Sequence, residues 1–356
     1  MSKVYLISGS SSDDIATVEK KVSALWQRAD LAGAFSKRDL AALKLHVGEP
    51  GTKTFVSPKI VKTLVRCIAK TGAKPFLTDT AVLYKSRRGD AVGHVRVAHD
   101  HGFGLLEMGA PFISADGLNG SDDLEVDVGV SAKHYEKVSI ASGIMQARSM
   151  LVLTHATGHL ATGLGGAIKN LGMGCGSKKA KLSQHFGQKP HIDADKCSAC
   201  GECATWCPSD AIDVEQSAVI DPDKCIGCGE CIAVCLDSAV QFDWSIMGRA
   251  LQERIVEHAV AVARGKPNKI CYITVAQDIT KDCDCLGVNQ KPLLEDIGIL
   301  ASFDPVALDK AVLDLVQQRA GRTLESMSYP KTNGTIQIDY AESLGLGEST
   351  YDLVSV

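Results

Sequence analysis

The stretch Ile192-Asp193-Ala194-Asp195-Lys196-Cys197, followed by Cys200, Cys203 and Cys207, returns twenty-eight residues later. The second copy is Ile220-Asp221-Pro222-Asp223-Lys224-Cys225, followed by Cys228, Cys231 and Cys235. Each copy reads C-x2-C-x2-C-x3-C. Thiolates are soft, anionic ligands that suit iron, and x2 spacing lets three sulfurs of one tight loop cap three corners of a cube. The doubled run therefore predicts a small α+β module distinct from its surroundings.

The spacing is similar to the bacterial ferredoxin run for cubane clusters, in which the fourth cysteine ligates the other copy's cluster. Two [4Fe-4S] clusters are expected, one on Cys197, Cys200, Cys203 and Cys235, the other on Cys225, Cys228, Cys231 and Cys207. Pro208 follows the fourth cysteine of the first copy, as the run requires. Leu236 stands where a second proline is usual, which leaves ligation intact but changes how the loop shields its cluster. Two structural zinc ribbons are the alternative, but these favour separate C-x2-C knuckles over an unbroken doubled run.

The chain has 356 residues, enough for one large domain and a small one. With 38 Lys+Arg against 42 Asp+Glu, it carries no nucleic-acid or anionic-membrane footprint. No amino-terminal apolar stretch resembles a signal peptide, and no apolar run approaches the ~18 residues of a spanning helix. Thirteen cysteines without an export signal read as metal ligands rather than disulfides, which predicts a reducing, low-oxygen cytoplasm.

Outside the cysteine repeat, short apolar runs alternate with helical patterns, which predicts an α/β fold with a mostly parallel sheet flanked by helices. Strands are expected at 43–47, 75–78, 150–154, 270–275 and 297–301. Ser57 and Pro58 open a helix that Gly72 ends, and Asp304 and Pro305 open another. Residues 1–190 and 244–356 are expected to be two parts of one α/β domain, with the ferredoxin-like module inserted at 191–243. Cys67, in a helix, and Cys271, in a strand, read as core thiols.

Ligands of open parallel sheets bind outside the carboxyl ends of the strands. Lys44, His46 and Glu49 follow the first of these strands, and Asp79, Thr80, Tyr84 and Arg87 the second. The strand at 150–154 delivers His155 and His159, then Gly163 to Asn170 with Lys169. That at 270–275 delivers Asp282-Cys283-Asp284-Cys285. Two soft and two hard ligands within four residues, completed by Cys175, His155 or His159, describe a mononuclear metal site. An acidic surface loop with inert thiols fits the same residues. The histidines read either as site members or as loop-stabilising hydrogen-bond partners. Gly163–Asn170 reads as an anion-binding turn backed by Lys169, or as a bare glycine turn into a helix. Lys178-Lys179-Ala180-Lys181 reads as a solvated face, and Gly9-Ser10-Ser11-Ser12 as a capped helix start.

Several of these runs resemble the prokaryotic domain-of-unknown-function family 362. They are Lys44-x-His46-x2-Glu49, Asp79-Thr80-x3-Tyr84, His155-x3-His159, Gly165 to Cys175, and Asp282 to Cys285 followed by Asp296-Ile297-Gly298. The resemblance covers nearly the whole chain and implies the inserted architecture and a shared strand-end site, but no substrate. A single loop, histidines followed by Gly-Gly-x-x-Lys, is also similar to part of the nickel-pincer lactate racemase family, and nothing is carried over from it.

The expected function is a cytoplasmic oxidoreductase passing single electrons through the two clusters to the strand-end site, with a ferredoxin-like redox protein as partner. Cys283 and Cys285 would be metal or redox thiols, and His155 or His159 a ligand or proton donor. Lys44, Arg87 and Lys169 would bind an anion, oriented by Asp79 and Glu49. A non-catalytic electron carrier or complex subunit is the alternative, followed by a cluster- or metal-delivery protein. A homo-oligomer is compatible with all three.

Overall fold

A computed structural model describes residues 1–185, 189–225, 230–241 and 248–356. Eight strands form one sheet: β1 Ser2–Ile7, β2 Leu40–Lys44, β3 Lys74–Asp79, β4 Phe112–Ser114, β5 Ser149–His155, β6 Ile270–Ala276, β7 Gly298–Ser302 and β8 Tyr351–Ser355. Their spatial order is β8-β1-β7-β6-β5-β2-β3-β4. All neighbours run parallel except at β7, which is antiparallel to both β1 and β6. The central sheet is therefore mostly parallel, with one reversed strand where the sequence showed only an apolar run.

Alternation along β5 explains why the run is apolar throughout. Met150 and Val152 enter one core, while Leu151 and Leu153 enter the other. Helices α1 Ile15–Arg28 and α2 Pro58–Lys70 cover the second face. On the first face lie α3 Ala167–Gly172, α4 Lys178–His185, α5 Arg249–Arg264 and α6 Pro305–Ala320, of which α3, α5 and α6 supply most of the core contacts. The caps are local chemistry. Ser57 accepts from Lys59 N with Pro58 at the first helical position, and Asp304 accepts from Val306 N and Ala307 N. Gly9–Ser12 is not itself the cap of α1. That role belongs to Asp14, which accepts from Thr17 N, while Ser10 and Ser11 bond to Asp296.

Between α4 and α5 the chain builds a small structure with its own core of Cys203, Ile212, Ala218, Cys231 and Val240. Strand His191–Ile192 pairs with Val240–Gln241, and Ile212–Val214 with Ala218–Ile220, all antiparallel. One short helix comes from each copy of the repeat, Glu202–Thr205 and Glu230–Val234. Ile232 packs on Leu83 and Leu182 of the larger body. Cys228 lies outside the described residues, as do 242–247, which include the expected boundary at 243–244.

Candidate functional site

Because β2, β3, β5 and β6 are parallel neighbours, their carboxyl ends open on one side of the sheet. Lys44 ends β2 with its ammonium buried, donating to Asn170 Oδ1 at 2.7 Å and pairing with Asp79 Oδ1 at 3.0 Å. Burial works against ionising Asp79, but Lys44 and then His94 outweigh it and hold the carboxyl well below its ordinary range. The buried guanidinium beside Asp79 belongs to Arg88, which is fully enclosed. Its Nε donates to Glu49 Oε2 at 2.7 Å and its Nη2 to Tyr84 Oη at 2.6 Å, with Nη1 3.6 Å from Asp79 Oδ2.

Arg87, the arginine expected here, instead faces solvent and pairs with Asp100 at 3.1 Å, about half of both side chains being exposed. Two adjacent arginines in an irregular loop point opposite ways, and only the packing of Arg88 against Glu49 decides which is internal. Lys181 is a second correction. Rather than lying on a solvated face, its Nζ turns inward to Thr80 Oγ1 and Gly176 O, both at 2.6 Å. Burial pulls Lys181 and Lys169 down to about 8, and His46 to about 3, where Arg88 adds to the effect.

The fourth strand end is tied in through backbone. Glu49 N donates to Asp284 O at 2.9 Å. Gly51 has φ +102°, and a side chain there would lie 2.6 Å from Gly287 O, so the two loops meet where only glycine fits. His155 spends both ring nitrogens internally, Nδ1 at 3.0 Å from each Asp284 oxygen and Nε2 at 2.8 Å from Gln277 O. Burial lowers its pKa, yet Asp284 reverses the sign and raises it. His155 and Asp284 thus satisfy each other.

Thr157–His159 and Gly163–Gly165 form a hairpin rather than a loop. The turn into α3 does present two amides to an anion, but the anion is the chain's own. Ala167 N and Ile168 N donate to the Asp309 carboxylate at 2.7 and 2.9 Å, and burial pushes Asp309 up to about 7. His159 Nδ1 accepts from Ala161 N and Thr162 N, both at 3.2 Å, and burial, then Lys169, lowers its pKa well below the usual value.

A ring nitrogen of His159 and the sulfurs of Cys283 and Cys285 lie within 4.8 Å of one another. Cys175 is not among them: its buried thiol faces Asn170 O at 3.8 Å and is pushed up to about 11 by burial. Nor do the flanking carboxylates join, since Asp284 holds His155 and Asp282 accepts from Tyr329 Oη. Cys283 and Cys285 are bonded to each other.

Within the smaller structure, Cys197, Cys200, Cys203 and Cys235 line one cavity, open in part to solvent and walled by Ile192, Ala218 and Val240. None of the four is disulfide-bonded. Backbone amides point at the sulfurs: Ala218 N to Cys197 at 3.3 Å, Ala239 N to Cys235 at 3.2 Å and Ala211 N to Cys207 at 3.3 Å. Arg88, His94 and Asp309 join the site without having been expected there from the sequence. Among them only the Arg87-Arg88 doublet carried any sequence signal.

An α/β fold with a buried polar strand-end site and a cysteine-lined cavity defines the class of protein, one whose cysteines allow metal binding. The chain belongs to the family described as Domain of unknown function (DUF362), which it matches over residues 41–314. Among solved structures it is similar to a lactate racemase apoprotein from Thermoanaerobacterium thermosaccharolyticum, at 11% identity and TM-score 0.38, covering 77% of this chain and 50% of that one. It is also similar to a Thermotoga maritima protein from a structural genomics consortium, at 11% identity and TM-score 0.46, covering 87% of this chain and 60% of that one. The chain thus spans 50 to 60% of those proteins' lengths. No curated protein matches it. No helix among the described residues is long and apolar enough to cross a membrane.

Proposed function

We propose that this protein carries two [4Fe-4S] clusters in a ferredoxin-like segment, residues 191–243, inserted between two parts of one α/β domain, and that it delivers electrons to the strand-end site. The carrying observation is the cavity at Cys197, Cys200, Cys203 and Cys235. Three of its thiols come from one copy of the repeat and the fourth from the other, the crossed pattern that a pair of interleaved cubanes requires. Four soft thiols around one cavity fit such a cluster. Cys207, Cys225, Cys228 and Cys231 would hold the second. When bound, each cluster supplies one electron at a time.

The chain's own residues set the conditions. Amides aimed at Cys197, Cys207 and Cys235 stabilise negative charge on sulfur and raise the ease of reduction. Ile232, beside Cys231, packs on Leu83 and Leu182, which continue into Tyr84 and Lys181 of the polar site. The insertion is supported by the sheet itself, in which β5 precedes the segment and its parallel neighbour β6 follows it. In the strand-end site Lys44, Lys169 and Lys181 are the cations for an anionic substrate, with Asp79, Arg88 and Glu49 holding Lys44 and the adjoining loop in place.

A non-catalytic electron carrier is the second reading, favoured by Trp206 and Leu236, which are 50% and 87% exposed beside the ligands Cys207 and Cys235. A redox protein docking there is expected in either case. A reducing cytoplasm suits the thiol ligands. Metal and sulfide analysis of anaerobically purified protein tests the proposal, with about eight irons and about eight acid-labile sulfides per chain expected. Colourless protein without labile sulfide would overturn it.

A further inference from the structure

Cys283 and Cys285 are chemistry-bearing residues that the two cysteine tetrads leave unused. We propose that they form a dithiol–disulfide couple that accepts electrons from the clusters, with the imidazole of His159 beside the sulfurs. The proposal rests on the cluster assignment above.

Three observations separate this couple from a metal centre. The sulfurs are bonded to each other. His159 Nδ1 accepts two backbone N–H groups, so the neutral ring carries its proton on Nε2 and has no free lone pair to give a metal. A ligating histidine normally has the reverse arrangement, giving its second N–H to an acceptor. The flanking carboxylates are also committed, Asp284 to His155 and Asp282 to Tyr329.

The electron count fits. Reduction breaks the S–S bond and forms two S–H bonds, consuming two electrons and two protons. Two clusters holding one electron each carry that pair, and solvent supplies the protons, since both cysteines are half-buried with exposed residues 286–289 beside them. The segment that holds the clusters is also rooted here. Ala161, two residues beyond His159, packs on Leu251 and Ile255 of α5, the first helix among the described residues after the segment. The protein would thereby turn single-electron input into a two-electron thiol output.

The test uses the full-length, cluster-loaded protein handled without oxygen. Iodoacetamide should leave Cys283 and Cys285 unlabelled in oxidised protein and label both after dithionite reduction. Reductive titration should take about four electron equivalents per chain, against about two for the Cys283→Ser/Cys285→Ser variant. The couple is refuted by labelling before reduction, by resistance to labelling after it, by equal titrations, or by stoichiometric zinc or nickel that the double variant lacks. If cluster absorbance is missing while dithiothreitol still exposes both cysteines to label, the cluster assignment and the couple's electron source fail, and only the reducible disulfide stands.

Discussion

Replacing Arg88 by Met is the sharpest test of the strand-end site. The guanidinium is completely buried and meets Glu49 at 2.7 Å, Tyr84 at 2.6 Å and Asp79 at 3.6 Å. Asp79 keeps Lys44 in the variant, but Glu49 retains only hydroxyl donors, from Ser86 and Tyr84. Removing one member of a buried ion pair costs about 3–5 kcal/mol, because the remaining charge stays desolvated. At roughly 2 °C per kcal/mol for a chain of this size, Tm should fall by about 6–10 °C. Arg87→Met removes only an exposed pair, worth about 1 kcal/mol at most, and should move Tm by no more than about 2 °C. Far-UV circular dichroism melts of both variants make the comparison. Adding Glu49→Leu to Arg88→Met should recover part of the loss, since the stranded carboxylate goes with it. Equal melts for the two single variants, or no recovery in the double one, would refute the account of the buried pair.

Cys200→Ser should lower bound iron by about half, from about eight to about four per chain, because only one tetrad loses a thiolate; complete loss or no loss would contradict separate ligand sets. Acid should destabilise the fold between about pH 4 and pH 6.5. Burial lowers His46 to about 3 and His185 and His258 to about 4, so the unfolded chain binds more protons in that window and stability rises with pH. Asp309, raised to about 7, opposes the trend, as do Asp116 and His155, whose pKa values are also raised. Urea midpoints at pH 5 and pH 7 read the balance, and a higher midpoint at pH 5 would count against it. Gly172→Ala would put a methyl group 2.1 Å from Ile255 O, where α3 meets α5. A loss of about 1–3 kcal/mol is expected from urea unfolding, and an unchanged midpoint would show that the helices separate freely.

Much was legible in the sequence because its causes are local. Thiol spacing along one tight loop brings Cys197, Cys200 and Cys203 to one cavity, short apolar runs prescribe strands buried on both faces, and Ser57-Pro58 and Asp304-Pro305 mark helix starts within two residues of themselves. Tertiary structure alone decided what depends on partners far away in the chain. Arg88 rather than Arg87 is internal because Glu49, thirty-nine residues earlier, meets it. The anion at α3 is Asp309, 142 residues beyond Ala167, and Lys181 turns inward to reach Thr80, 101 residues before it. β7 runs against its neighbours although its residues read like any other buried strand. Periodicity records which face of an element is apolar, but a buried charge is set by the distant group that neutralises it, and no local pattern carries that group's position.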